Sequence, residues 1–371
     1  MKTIRLFHPY IPKEFNLALA KVLASGWIGN AGVVERFEKD FAEYVGARYA
    51  VMTNSATSAL NLAVEVSGLE EGDEVLTTPI TFVSTNHAIL NANATPVFVD
   101  VDPYSLNIDL DKAEAAITSK TKAIMAVHYG GNPIDIYKLY GLARKYNLRV
   151  IEDAAHACGA SYEGHKIGQF GLTCFSLSAV KNLPVGDGGV ITTNSEAQHD
   201  HIRSLMWLGI DKTTYARSKE QYKWEYNVTA VGYKYASNDI AASLGIQGLK
   251  HLAEWNEYRA ELVRTYKKNI HHAKWLTSTP NSVSANHLFV IKVDRRDHVH
   301  KKLLEAGIET GVHYKPNHHY SMYELPDGAE KLWAADLAYS RILSLPLHLR
   351  MTTDDVVYIC ETLEEVLSCA R

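Results

Sequence analysis

Short apolar runs alternate with helix-like segments from about residue 48 onward, and this alternation constrains the fold more than any other feature of the sequence. Strand-like runs include Tyr49–Met52, Ala123–Val127 and Leu148–Ile151, and apolar residues at helical spacing lie between them, as in Ser58–Val66. Strands that alternate with helices form a mostly parallel sheet covered by helices on both faces. The sequence therefore predicts an α/β fold with a mostly parallel central sheet.

The pattern changes after Ser237, where one long helical stretch over Asp239–Ile270 replaces the alternation. A strand at Leu288–Val293 and a terminal helix near Asp354–Leu367 follow. Helices and strands mixed in this way predict a second, smaller unit of the α+β class. The expected units are a large α/β domain (residues 13–248), a small C-terminal α+β domain (249–371) and an N-terminal arm (1–12) that packs on the small domain.

Composition excludes several classes of function. The 371 residues carry a net charge of -4 without a polybasic cluster, so we expect no nucleic-acid partner. No stretch approaches the roughly 18 consecutive apolar residues of a membrane span. The four cysteines form no CxxC pair, which favours a reducing cytoplasm. The 17 histidines show no zinc-like spacing, so no metal site is predicted.

An acid and a lysine each follow a predicted strand. The run Val150–Ala154 places Asp153 at the carboxyl edge of the sheet, where open α/β folds bind their ligands. Lys181 lies on a glycine-rich loop after the strand Cys174–Leu177. A pyridoxal cofactor needs a lysine amine for its Schiff base and an acid beside its pyridine nitrogen. Alone, the aspartate is typical of a turn and the lysine of the solvated surface, but the pair indicates a covalent cofactor site.

The segment Thr53–Ala63 has the features of an anion site. Its sequence, TNSATSALNLA, places small hydroxyl residues where a strand ends and an apolar helix begins. Free amides at a helix N-terminus attract phosphate; Ser55 and Thr57 could add hydroxyl donors, and Ala56 is small enough for close approach. A simple helix N-cap explains the same residues, and the sequence leaves both interpretations open.

Two further residues complete the predicted pocket. Ser176 lies on the strand that leads toward Lys181 and could bind a phosphate held near that lysine. Phe82, in TTPITFV, could stack on a flat heteroaromatic ring, although packing in the core explains it equally well.

Motifs along nearly the whole chain carry a family resemblance. They include SGWIGNAGVVERFEKDF, NSATSALNLA, TTPITFVST, IEDAAHACGA, FSLSAVKNLPVGDGG, GYKYASNDIAASLG, GVHYKP and LSLPLHLRMT, in collinear order. In these motifs the chain resembles the DegT/DnrJ family of nucleotide-sugar aminotransferases, which belong to fold type I of the pyridoxal-phosphate enzymes. The resemblance implies a homodimer with active sites between its subunits. It also implies pyridoxal 5′-phosphate as the cofactor, with pyridoxamine 5′-phosphate as an intermediate.

The resemblance further implies an activity and a set of site residues. A nucleotide-linked keto sugar, with its ketone at C3 or C4, would receive an amino group from L-glutamate during amino-sugar synthesis for polysaccharide or lipopolysaccharide. Lys181, Asp153 and His156 are the implied catalytic residues: Lys181 carries the cofactor and moves the proton, and Asp153 pairs with the pyridine nitrogen. The implied cofactor site is Ala56, Thr57, Phe82, Asp153, His156, Ser176, Lys181 and Lys234, and the implied sugar pocket includes His313 and Tyr314.

The chain departs from the family pattern near the cofactor. His156 stands where many members have glutamine and could bond the ring hydroxyl or stack on the ring. Ala56 replaces a glycine. Lys234 replaces an asparagine and is similar to the residue that reaches the phosphate in the partner subunit. Ala236 replaces an arginine. Contacts to the phosphate are therefore less firmly implied than those of the lysine and the acid.

Three other functions remain open from the sequence. A pyridoxal-dependent sugar dehydratase and a keto-inositol aminotransferase use related chemistry, and some relatives are described as regulators. Relatives that dehydrate replace the lysine with histidine, so Lys181 favours amino transfer. A nicotinamide dehydrogenase is disfavoured because no GxGxxG follows the first strand.

Overall fold

A seven-stranded sheet forms the centre of the computed structural model, which describes residues 3–369 except 213, 220, 223, 324 and 326–329. Its strand order is β1-β9-β8-β5-β4-β2-β3. The pairs from β8 through β5, β4 and β2 to β3 are parallel, and β9 runs antiparallel to both of its neighbours. The strands are β1 (Tyr49–Thr53), β2 (Glu74–Thr77), β3 (Thr95–Phe98), β4 (Thr121–Val127), β5 (Arg149–Asp153), β6 (Ser161–Tyr162), β7 (His165–Lys166), β8 (Leu172–Ser176), β9 (Gly189–Thr193), β10 (Lys274–Trp275), β11 (Ser282–Val283), β12 (Phe289–Lys292) and β13 (Ile342–Leu345).

Helices cover the sheet and continue into the C-terminal part of the chain. In the loops of the described residues lie the short 3₁₀ helices Tyr129–Gly131, Asn317–His319 and Ser321–Tyr323. None of the helices in the described part of the chain is both long and apolar enough to cross a membrane. The α-helices are α1 (Glu14–Ser25), α2 (Gly32–Val45), α3 (Ala56–Val66), α4 (Val83–Asn91), α5 (Leu110–Ala115), α6 (Ile136–Tyr146), α7 (Glu196–Leu205), α8 (Thr214–Ser218), α9 (Asp239–Asn269), α10 (Arg296–Glu305), α11 (Trp333–Arg341) and α12 (Thr353–Cys369).

Alternate residues of the central strands enter two apolar cores, one on each face of the sheet. In β4, Ile124 and Ala126 pack in the core that contains α2 and α6. Ala123 and Met125, on the opposite face, pack with α3 and α4. Because successive strand residues point to opposite faces, a sheet covered on both sides must be apolar at both sets of positions. The predicted mostly parallel α/β fold is confirmed.

Helix α9 joins the central sheet to the C-terminal part. Leu249 and Leu252 pack in a core of the large sheet, whereas Leu262 and Tyr266 pack against the three-stranded sheet β10-β12-β13. Ile4, in the N-terminal arm, packs in that second core as well. The helix is continuous across the expected boundary at residue 248, and the division into two domains stays a prediction.

Candidate active site

A cavity of about 440 Å³ lies at the carboxyl ends of β5 and β8, and it brings together nine of the ten predicted site residues. Parallel strands that end at one edge of a sheet make this the expected place for a ligand. Lys234 is the predicted residue that does not line it. The nine residues are Ala56, Thr57, Phe82, Asp153, His156, Ser176, Lys181, His313 and Tyr314.

A larger cavity, of about 810 Å³, lies at the opposite edge of the same sheet, where β5 and β8 begin. Tyr137, Tyr140, Arg144 and Arg149 contribute to its wall. Its described lining contains no lysine, histidine, cysteine or carboxylate. The smaller cavity is therefore the better candidate, because it holds the groups that perform acid–base and covalent chemistry.

Asp153 is buried at the end of β5, and its carboxylate is held from two sides. The hydroxyl of Thr85 donates to Oδ2 at 2.7 Å, and the backbone N–H of Ala155 donates to Oδ1 at 3.0 Å. Thr81 contacts the hydroxyl of Thr85 at 2.8 Å. These bonds fix the orientation of the carboxylate and use only part of its capacity for about four hydrogen bonds.

The neighbouring acid, Glu152, belongs to a different network. Its Oε2 lies 2.9 Å from Nε2 of His128, and its Oε1 accepts a bond of 2.7 Å from the hydroxyl of Tyr140. Thr173 donates to the same Oε1 at 3.2 Å. Glu152 does not line the cavity. Of the two adjacent acids, Asp153 is thus the one available to a ligand.

Lys181 lies in the cavity on the loop after β8, and its backbone N–H donates to the carbonyl of Ser178 at 2.9 Å. Burial lowers the pKa of its amine to about 8, although the charge of Asp153 acts in the opposite direction. Desolvation disfavours the protonated form of an amine. About a tenth of Lys181 is therefore unprotonated at pH 7, far more than for an ordinary lysine. Only the unprotonated amine is a nucleophile.

His156 is buried beside the lysine, with a defined tautomer. The backbone N–H of Gly130 donates to Nδ1 at 3.3 Å, so the proton of the neutral ring lies on Nε2. That Nε2–H faces the hydroxyl oxygen of Tyr314 at 3.1 Å and donates to it. Burial is the main reason that the pKa of His156 lies well below its usual range, and the nearby charge of Lys181 lowers it further. The ring is therefore neutral, and the hydroxyl proton of Tyr314 is free to be donated elsewhere.

His287 lines the same cavity and was missed by the sequence analysis. Its ring centroid lies 4.4 Å from that of His156. Its Nδ1 lies 3.1 Å from Oδ1 of Asn182, whose amide nitrogen donates to the carbonyl of Ala285 at 2.7 Å. Oδ1 must then accept, so Nδ1 of His287 carries the proton. His287 thereby holds the side chain of Asn182, the residue that follows Lys181.

The C-terminal part of the chain contributes two consecutive residues, His313 and Tyr314, to the cavity. His313 Nδ1 lies 2.8 Å from the hydroxyl of Ser344, and burial together with Lys181 lowers the pKa of His313 to about 4. Tyr129 donates its hydroxyl to the carbonyl of His313. The ring of Tyr314 lies 6.2 Å from that of Phe82, whose side chain is largely exposed at the mouth of the cavity.

The start of α3 combines both interpretations of the segment TNSATSALNLA. Ser55 is an N-cap, because its hydroxyl accepts from the N–H of Ser58 at 3.1 Å. The helix then begins at Ala56, and Ala56 and Thr57 line the cavity. Their backbone N–H groups belong to the first turn, where a helix leaves its donors unsatisfied. A capped helix and an anion site are therefore compatible here.

Lys234 lies outside this cavity. Its Nζ is 3.1 Å from the centroid of the Trp207 ring, over the face of the indole. Its carbonyl accepts from the amide of Asn54 at 3.3 Å, next to the start of α3. The role of Lys234 toward the phosphate in a partner subunit stays a prediction.

The fold and the cavity define a class of protein: an α/β transferase with a desolvated lysine and an oriented acid at the carboxyl edge of its sheet. The chain belongs to the DegT/DnrJ/EryC1/StrS aminotransferase family, whose model matches residues 9–364. The family resemblance inferred from the motifs is confirmed.

Known proteins match the chain over nearly its full length. The spore coat polysaccharide biosynthesis protein SpsC of Bacillus subtilis is 38% identical, and the match covers 98% of this chain and 96% of SpsC. The putative sugar aminotransferase Spr1654 of Streptococcus pneumoniae, in its pyridoxamine-phosphate form, has a TM-score of 0.94 at 28% identity and covers 99% of this chain and 100% of its own. Helicobacter pylori PseC, an aminotransferase involved in the biosynthesis of pseudoaminic acid, has a TM-score of 0.93 at 28% identity, with coverage of 99% and 100%.

The chain is thus a sugar aminotransferase, and its cofactor is pyridoxal 5′-phosphate. Spr1654 has been solved in its pyridoxal-phosphate form as well, with a TM-score of 0.93 to this chain. The described cavity fits the group: Lys181 supplies an amine, Asp153 an oriented acid, and the start of α3 unsatisfied N–H donors. The predicted cofactor and fold type are confirmed.

Proposed function

We propose that the enzyme transfers an amino group from L-glutamate to the ketone, at C3 or C4, of a nucleotide-linked sugar. The observation that carries this proposal is the pairing of a desolvated Lys181 with an oriented Asp153 in one cavity. Two relatives support the sugar class: SpsC takes part in spore coat polysaccharide biosynthesis, and PseC in pseudoaminic acid biosynthesis.

Each residue of the cavity has a part in this chemistry. The bound cofactor supplies an electron sink for the carbon from which a proton is removed. Lys181 would hold the cofactor and Asp153 would pair with its pyridine nitrogen, while Thr85 keeps the carboxylate in place. The N–H groups of Ala56 and Thr57 would hold the phosphate, with Ser176 contributing its hydroxyl. Phe82 and His156 would border the ring.

Lys181 is the proton carrier in this proposal. An amine with a pKa of about 8 can take a proton from the amino donor and return it at neutral pH. His156 and His313 both have lowered pKa values because they are buried beside Lys181, so neither competes for that proton. General acid–base catalysis of this kind contributes about 10²- to 10⁴-fold in rate.

Tyr314 is the proposed contact to the sugar. Since His156 donates to its oxygen, Tyr314 can direct its own proton to an acceptor in the cavity, such as a hydroxyl or carbonyl oxygen of the substrate. His313 fixes the position of this tyrosine, because its ring contacts the hydroxyl of Ser344 and its carbonyl accepts from the hydroxyl of Tyr129.

A homodimer completes the proposal. Lys181 is the only lysine or arginine in the described lining, although the carboxylates of glutamate and the diphosphate of a nucleotide sugar need cations. Large apolar side chains, including Trp224, Val228 and Val231, are exposed in one segment of the surface. Exposed apolar patches mark interfaces, so a second subunit, with its own Lys234, is the proposed source of the missing charge.

A spectrum with a substrate panel tests the function. The purified protein is incubated with pyridoxal phosphate, then with glutamate, and finally with nucleotide-linked keto sugars or keto-inositols. We expect the visible band of the lysine-bound cofactor to vanish with glutamate and to return with a nucleotide-linked keto sugar. Lys181→Ala is the control that should show no such band. Return of the band with a keto-inositol alone, or release of a dehydrated sugar, would replace the proposal with one of the alternatives.

A further inference from the structure

Two adjacent histidines and one aspartate converge outside the cavity. Nε2 of His318 and Nε2 of His319 lie 2.9 Å and 2.7 Å from the same atom, Oδ1 of Asp336. The histidines belong to the 3₁₀ helix Asn317–His319, and Asp336 lies in the first turn of α11. Within the described part of the chain, no other three His, Cys, Asp or Glu side chains bring their ligand atoms together in this way.

We infer that this cluster, the His318–His319–Asp336 triad, binds a divalent transition-metal ion of the zinc type. Two imidazoles and a carboxylate are ordinary zinc ligands, and three protein ligands leave one position for water. The three ligand atoms lie within 4.8 Å of one another. Ligands at about 2.0–2.2 Å from a tetrahedral zinc ion lie roughly 3.4 Å apart, so small side-chain movements suffice to close the site.

The triad is packed against protein on one side and is accessible to solvent on the other. The side chain of His318 is only 7% exposed, and the ring of Phe98 packs against it at 6.4 Å. The side chains of His319 and Asp336 are 32% and 44% exposed, which gives an ion a path from solvent. Tyr339 contacts the ring of His319 edge-on, at 5.6 Å. One ligand is therefore fixed by packing, while two can adjust to the ion.

The nitrogen that binds the ion can be assigned. Nδ1 of His318 is buried and finds no hydrogen-bond partner among the described residues. Nε2 of the same ring faces Asp336, next to Nε2 of His319. Nε2 is thus the ligand atom of both histidines. The spacing of these three residues along the sequence matches no zinc motif, and only the fold brings them together.

A bound ion would tie together three parts of the chain near the cavity. His318 follows Tyr314 by four residues, so the triad anchors the loop that brings Tyr314 to the cavity. Helix α11 is itself joined to the end of β3, because the N–H groups of Ala334 and Ala335 donate to Asp100 at 3.0 Å and 2.9 Å. The ion would therefore act as a structural clamp on this loop.

Titration of the cofactor-loaded enzyme with Co²⁺, in the absence of glutamate, tests the site. Co²⁺ takes the place of zinc and absorbs visible light when histidine and carboxylate bind it. We expect one Co²⁺ per chain, displaced by Zn²⁺, and a rise in melting temperature on Zn²⁺ binding. Loss of a residue that only hydrogen-bonds to a metal ligand weakens metal binding by roughly 10- to 100-fold. His319→Asn and Asp336→Asn each remove a ligand itself, so each should weaken Co²⁺ binding by more than that.

The other adjacent histidine pair of the chain provides the matched control. His272, next to His271, contacts Glu364 through Nδ1. His272→Asn should leave Co²⁺ binding unchanged, and the band of the cofactor on Lys181 should report that all variants are folded. The inference is overturned if the wild-type enzyme binds no stoichiometric Co²⁺, if His319→Asn binds it as tightly, or if His272→Asn abolishes binding.

Discussion

The hydroxyl of Thr85 donates to Oδ2 of Asp153 at 2.7 Å, and this bond joins helix α4 to the acid that ends β5. A buried carboxylate that loses a donor keeps its cost of desolvation without the compensating bond. The position of the acid therefore depends on a residue 68 positions earlier in the chain.

Thr85→Val removes that donor while keeping the shape of the side chain. Hydrogen bonds to charged groups contribute about 1.5–3 kcal/mol, so we expect cofactor affinity and kcat/KM to fall by roughly 10- to 100-fold. Cofactor titration and steady-state kinetics measure both quantities. Thr81→Val, which removes only the contact to Thr85, should have the smaller effect; equal losses in the two variants would show that Asp153 does not depend on the direct bond.

The pKa of Lys181 gives a prediction with a defined sign. Burial lowers it to about 8, so the amine of the cofactor-free enzyme should lose its proton as the pH rises through about 8, rather than near the usual 10.5. Because the charge of Asp153 raises this pKa, Asp153→Asn should move the midpoint to lower pH. Carbon-13 NMR of labelled lysines follows the titration, with Lys181→Arg to assign the signal. A midpoint that moves upward in Asp153→Asn contradicts the electrostatic argument.

The sequence predicted the fold and the two central site residues for a physical reason. Asp153 ends a buried strand and Lys181 follows another, and the carboxyl ends of parallel strands meet at one edge. His287 and Asn182 could not be found in this way, because their contact joins residues 105 positions apart and has no periodic signal. Thr85 lies in a motif that was recognised, but its direction toward Asp153 depends on how α4 packs.

Tyr314→Phe tests the proposed contact to the sugar. The variant keeps the ring but loses the hydroxyl that accepts from His156 and that is proposed to donate to the sugar. We expect kcat/KM for the sugar to fall by about 10-fold, as for a lost hydrogen bond of about 1.4 kcal/mol. The half-reaction with glutamate should change little. Single-turnover measurements separate the two half-reactions, and an equal loss in both would assign Tyr314 to the cofactor rather than to the sugar.

Gly189→Ala tests whether the start of α3 must lie against β9. A Cβ atom at residue 189 would lie 2.4 Å from the carbonyl oxygen of Ser55 and 2.7 Å from the nitrogen of Ala56, both backbone atoms that cannot turn away. The N-terminus of α3 would have to shift, and overpacking of this kind costs about 1–3 kcal/mol. We therefore expect a lower melting temperature and weaker binding of pyridoxal phosphate.

Gly141→Ala, in helix α6, is the control for Gly189→Ala, because it makes the same substitution at a site away from the cavity. Beyond its chain neighbours and the backbone of its own helix, no described atom lies within 4 Å of the added Cβ. Alanine is favoured over glycine in a helix by about 0.5–1 kcal/mol. Its melting temperature should rise slightly, with cofactor affinity unchanged. If Gly189→Ala destabilises the protein but binds the cofactor as tightly as the wild type, the N–H groups of α3 do not hold the phosphate. Loss of affinity in Gly189→Ala alone would support the anion site at Ala56 and Thr57.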